Sequence, residues 1–220
     1  MFHNTDINQI IMMIAAIIVA VIIHEVAHGS VAYMLGDDTA MRAGRLTFNP
    51  LKHLDFFGSI VIPFILIFSG SPILFGYAKP VPVNFARIRN TKTGILLVAS
   101  AGIAANLCLA VTAGLLFRIL YKFEPAWSQT FFDPLFVDLF YFLFYSVIIN
   151  SVLAVFNLIP IPPLDGSRIL SVFLPPAIRV QYARIERFGL LIIFFLLITN
   201  FLNKIILFFI NPLTSALLGR

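Results

Sequence analysis

The residues best suited to chemistry sit in one short run, His24-Glu25-Val26-Ala27-His28. Positions four apart on a helix share a face, so both imidazoles can reach a single metal ion. Glu25 lies beside them, close enough to take a proton from water held at that metal. Two neutral imidazoles and one carboxylate make a zinc site that keeps a coordination position for water, the arrangement used for metal-assisted hydrolysis. A blander reading makes the same residues two histidines at a helix end, facing water beside a surface glutamate.

A third ligand must come from elsewhere. Besides Glu25, the carboxylates are Asp6, Asp37, Asp38, Asp55, Glu124, Asp133, Asp138, Asp165 and Glu186. Asp165 stands apart because it closes the run Asn157-Leu158-Ile159-Pro160-Ile161-Pro162-Pro163-Leu164-Asp165-Gly166. Its three prolines interrupt an apolar stretch and let the chain turn back. Gly166 then permits a close backbone approach. Taken alone, Asp165 could equally cap a short helix over Ser167 to Leu174.

The elements that must carry these residues are membrane helices. Hydrophobic residues make up 60% of the 220-residue chain and charged residues only 11%, with mean hydropathy +0.98. A soluble domain carries about 25% charged residues, so this chain has too little polar surface to cover a core in water. Four apolar runs reach the roughly 20 residues a bilayer requires, at about 8–35, 94–121, 135–159 and 185–210. The last should stop at Asn211-Pro212. A fifth apolar stretch, Phe57 to Phe75, contains Gly58, Pro63, Gly70 and Pro72, with Gly76 just beyond, and suits a strand pair or partly inserted loop better than a regular span. The expected architecture is thus an all-α membrane protein of four crossings with an inserted strand or loop segment around 57–84. Residues 1–220 should form one integral membrane domain, with loops too short for an appended soluble one. Met1 to Gln9 contain no Lys or Arg, so the first run reads as a retained span rather than a signal peptide.

The net charge of +5 points to membrane orientation and not to nucleic acid, because the basic residues lie in short loops between apolar runs. With four crossings, Arg42, Arg45, Lys52, Lys79, Arg87, Arg89, Lys92, Arg168, Arg179, Arg184 and Arg187 share one side. Arg118, Lys122, Lys204 and Arg220 share the other. A crossing at 57–75 would make the two sides nearly equal. The positive-inside rule therefore favours four crossings, both termini outside and the basic loops in the cytoplasm. The first and third spans then run the same way, bringing His24, His28 and Asp165 to a similar depth on the cytoplasmic side.

A helical His-Glu-x-x-His followed far downstream by a Pro-rich segment ending in Leu164-Asp165-Gly166 resembles the site-2 protease family of intramembrane metalloproteases. The likeness runs from about Ile10 to Leu174. It includes Asn49-Pro50-Leu51-Lys52-His53, the stretch Phe75 to Asn84, and Gly102-Ile103-Ala104-Ala105-Asn106, which looks like the family's Gly-x-x-x-Asn pattern. Phe56 and Ile103 depart from residues that are often Pro in relatives, which bears on loop shape and removes no ligand. The resemblance implies a three-helix catalytic core, one zinc ion on His24, His28 and Asp165, and Glu25 as catalytic base. It offers Asn106 and Asn157 as donors to an oxyanion or to substrate backbone; either could instead be an amide bonding between helices. The implied substrate is a membrane protein with a transmembrane segment. The competing readings are an inactive zinc-binding adaptor and a metal transporter, although no internal repeat of the transporter kind is visible. Substrate identity and oligomeric state are not written in the residues.

Overall fold

The structure is a computed structural model that describes residues 6–61, 78–128 and 130–219. Its helices are α1 (Ile7–Met34), α2 (Thr39–Arg42), α3 (Thr91–Lys122), α4 (Glu124–Trp127), α5 (Asp133–Leu158), α6 (Asp165–Phe173), α7 (Pro176–Arg184), α8 (Glu186–Ile198) and α9 (Phe201–Leu218). Among the described residues there is no strand, and four helices, α1, α3, α5 and α9, are long and apolar enough to cross a membrane. Large apolar side chains such as Ile14, Ile18, Leu115, Ile119 and Phe208 are exposed along these helices, as lipid-facing residues must be. The chain is a multi-pass membrane protein.

The helices α1, α3 and α5 pack on one another in a three-helix core, with α6 set against α3 and α9 against α5 and α3. Contacts give the directions. His28, His24 and Ala20 of α1 meet Val98 and Asn106 of α3 in reverse order, so the two helices are antiparallel. Asn106 meets Asn150 of α5 while Phe117 meets Phe140 and Phe144, so α3 and α5 are antiparallel as well. It follows that α1 and α5 run in parallel, as the ligand argument requires.

The expected span over 185–210 needs correction. The chain breaks there into α8 and α9, and the fourth long apolar helix is Phe201–Leu218. Asn200 adopts a left-handed conformation (φ 57°), which ends α8. The Thr199 hydroxyl donates to the Phe195 and Leu196 carbonyls at 3.0 and 3.2 Å, satisfying groups left open at the helix end. Pro212 does not stop α9 but lies inside it. The proline leaves the Phe208 carbonyl, four residues back, without its helical donor, and membrane helices tolerate such an interior proline.

Most of the inserted strand or loop expected around 57–84, namely 62–77, lies outside the described residues. The described flanks are a wide helical turn at Phe56–Val61 and an extended run through Ala78 to Asn84 that forms no strand ladder.

Candidate metal centre

His24 and His28 occupy successive turns of α1 and are 8% and 9% exposed. Their Nε2 atoms lie 3.0 Å apart. Asp165 Oδ2 approaches them at 3.3 and 3.1 Å. The three atoms form a nearly equilateral triangle. Neighbouring ligands of a tetrahedral zinc with bonds of about 2.0–2.1 Å are separated by about 3.3 Å, so the triangle has the right size.

Protonation supports the same reading. His28 Nδ1 lies 2.6 Å from Val98 O, a carbonyl that can only accept, so this nitrogen carries the proton and Nε2 a lone pair. His24 Nδ1 lies 2.6 Å from Asn106 Oδ1, which gives it the same tautomer. Three acceptor atoms therefore converge, and Oδ2 is buried without a hydrogen bond. Buried lone pairs facing one another are unfavourable unless a cation lies among them. Among the described residues, His24, His28 and Asp165 are the group with metal-ligand geometry.

Glycines make the convergence possible. A Cβ on Gly102 would lie 2.4 Å from His28 Nε2 and 2.5 Å from His24 Cε1, so α3 can press against both rings only with glycine there. A Cβ on Gly166 would lie 2.1 Å from Leu158 O, so the Pro-rich turn folds back tightly onto the end of α5. That turn is also covered from behind, since a Cβ on Gly189 of α8 would lie 1.9 Å from Pro162 O. Leu164, Ile193 and Leu202 fill the space between. Asp165 is the first residue of α6, and its side chain makes no capping hydrogen bond. The capping alternative does not describe it.

Glu25 Oε2 accepts the Val81 N–H at 2.7 Å. Val81 belongs to an extended run pinned at several points. Lys79 N donates to His53 O at 3.0 Å, Arg45 Nη2 donates to Lys79 O at 2.6 Å, and Arg89 N donates to Leu35 O at 3.0 Å. Asn84 N donates to Asp37 Oδ2 at 2.6 Å. Burial would raise Asp37, but hydrogen bonds from Thr39 and from Asn84 N–H hold its carboxyl below the usual range. The run thereby carries a backbone donor to the carboxylate. His53 is away from the centre, with Nε2 2.8 Å from Thr47 O.

The two asparagines expected as donors differ. Asn106 is fully buried and engaged on both sides of its amide, with Oδ1 on His24 and Nδ2 donating to Ala20 O at 3.3 Å and Asn150 Oδ1 at 2.8 Å. Asn157 is the penultimate residue of α5 and donates to Leu153 O at 3.0 Å. Sequence reasoning missed Asn150 and Val81. Asn150 had a signal: it is a polar residue within an apolar span, seven positions before Asn157 and on the same face. Val81 had none, because a backbone N–H carries no residue type.

A chain with this helical frame is a membrane protein, and its buried cluster has side chains that could hold a metal ion. The model for peptidase family M50 matches residues 12–200. "Putative zinc metalloprotease YwhC" of Bacillus subtilis is 37% identical over 187 residues, covering 85% of this chain and 80% of that protein. "Putative zinc metalloprotease Rip2" of Mycolicibacterium smegmatis is 31% identical over 194 residues, covering 88% and 69%. No solved structure matches the chain. The chain belongs to peptidase family M50, the site-2 protease family.

Proposed function

We propose that this chain is an intramembrane zinc endopeptidase that hydrolyses peptide bonds of membrane-spanning proteins, with one zinc ion on His24, His28 and Asp165. The observation that carries the reading is the buried triangle of acceptor atoms with edges of 3.0–3.3 Å, beside a glutamate in the same helical turn.

When bound, zinc supplies the Lewis acidity that acidifies water and polarises the scissile carbonyl. Glu25 takes a proton from the attacking water, the water oxygen bonds to the carbonyl carbon, and the C–N bond breaks. Glu25 then delivers the proton to the departing amine. The Val81 N–H holds the Glu25 carboxylate in one place during both transfers, at a distance of 2.7 Å. Val98 O and Asn106 Oδ1 fix both imidazoles with their lone pairs turned inward. Asn157 is the better candidate to meet substrate, since the Asn106 amide is spent on protein partners.

The centre is placed near the cytoplasmic side, with both termini outside, on the distribution of Lys and Arg. The corrected fourth span strengthens that balance, because Lys204 lies in the first turn of α9 and moves to the basic side.

The test is cleavage of a model transmembrane substrate by the wild type and by Glu25→Gln. The variant should keep zinc and lose cleavage by about 100- to 10,000-fold, the usual worth of a general base. Zinc binding with no cleavage by the wild type would overturn the protease reading in favour of an inactive adaptor.

A further inference from the structure

We propose that Asn150 is a positioning residue that sets the tautomer of His24 by acting through Asn106. The inference rests on the metal-centre reading above and adds a residue from α5 to it. Asn150 is 2% exposed and Asn106 is 0% exposed, both within apolar helices. Amides so placed are costly without complete hydrogen bonding.

The direction of every bond in the chain follows from its ends. Asn150 Nδ2 lies 2.9 Å from Ser146 O. A backbone carbonyl only accepts, so the amide nitrogen must face it, and Asn150 must turn its Oδ1 toward Asn106. Asn106 then faces two acceptors, Asn150 Oδ1 at 2.8 Å and Ala20 O at 3.3 Å, and must present its nitrogen to both. Its Oδ1 is left for His24 Nδ1 at 2.6 Å. That nitrogen must carry the proton, and Nε2 is left with the lone pair that faces His28 and Asp165. Three helices thus pass one proton arrangement from Ser146 to the centre.

Asn150 supplies the stronger constraint. Were it apolar, Asn106 would be oriented by Ala20 O alone, at the long distance of 3.3 Å. A flipped Asn106 would donate to His24 Nδ1 and push the ring proton to Nε2, where it points into the ligand triangle. Hydrogen bonds one step removed from a metal ligand are worth about 10–100-fold in affinity.

A plain interhelical bond between the two amides would affect packing and leave zinc affinity untouched. The experiment is a zinc-affinity cycle by chelator competition on the purified full chain, comparing wild type, Asn150→Leu, Asn106→Ala and the double variant. Asn150→Leu should bind zinc about 10–100-fold more weakly. The double variant should bind no more weakly than Asn106→Ala alone, because the effect passes through Asn106. Wild-type affinity in Asn150→Leu would overturn the inference, as would additive losses in the double variant. Failure of the wild type to bind zinc would instead overturn the metal-centre reading. Should Asn150→Leu not assemble, Asn150→Asp carries the test. A buried acid stays protonated, donates to Ser146 O and accepts from Asn106, so it should retain wild-type affinity; weakened binding there would also overturn the inference.

Discussion

Around Ala20 to His28, α1 meets α3 and α5 through Gly102, through His24 and His28, and through a buried run of amides ending at Ser146. Around Phe117, the same α3 and α5 meet through rings and aliphatic side chains. Phe117 stacks on Phe140 with centroids 4.4 Å apart, and Ala113, Leu143, Val147 and Leu218 complete the cluster. Lipid tails are as apolar as leucine, so apolar contacts between membrane helices have little hydrophobic driving force. Rings and methyl groups can exchange partners with lipid at small cost. Buried amides and close glycine contacts cannot. The inner region is therefore built to hold atoms in place, and the outer region to fill space.

The sharpest way to break this contrast is a methyl group placed at each of two levels of α3. Gly102→Ala puts a carbon 2.4 Å from His28 Nε2 and should lower zinc affinity and cleavage by at least about 100-fold, since the rings must move off their ligand positions. Gly114→Ala meets Leu217 O at 3.0 Å, which a small shift relieves, and should leave zinc affinity at the wild-type value. Equal losses in the two variants, read by chelator competition, would erase the distinction.

A smaller effect separates base from metal within the inner region. Val81→Pro removes the N–H that Glu25 accepts, in a run already flanked by Pro80 and Pro82. A hydrogen bond to a charged group is worth about 1.5–3 kcal/mol, so kcat should fall about 10- to 100-fold while zinc content stays unchanged. Loss of zinc in this variant would show that the extended run supports the metal site and not the base.

The smallest functional effect is expected in the outer region. Phe117→Ala should lower the melting temperature by less than the roughly 3–5 kcal/mol of a soluble core would imply, because lipid replaces part of the lost contact. Zinc affinity and kcat should not move. A change in either would mean that the aromatic cluster is coupled to the centre.

Much of this arrangement was legible in the residues, for particular reasons. His24 and His28 were readable because helical spacing alone places them together, and Asp165 because prolines and a glycine surround it. The break at Thr199-Asn200 was not, since hydropathy averages over a single left-handed residue in a run this apolar. Pro212 misled for the opposite reason: a rule learned in water stops a helix where a membrane helix continues. Asn106 was singled out as a donor to substrate or an amide between helices, but its partners were not legible, because which acceptors face an amide depends on three helices meeting. The hold of Val81 on Glu25 passes through backbone alone.

The central claim is that three side chains grip one divalent ion, and metal content tests it most directly. Zinc per chain should be measured on protein purified without added chelator, for the wild type, His28→Ala and Asp165→Asn. The account predicts one zinc in the wild type and almost none in either variant. A wild type without zinc, or an Asp165→Asn protein that keeps it fully, would contradict the account.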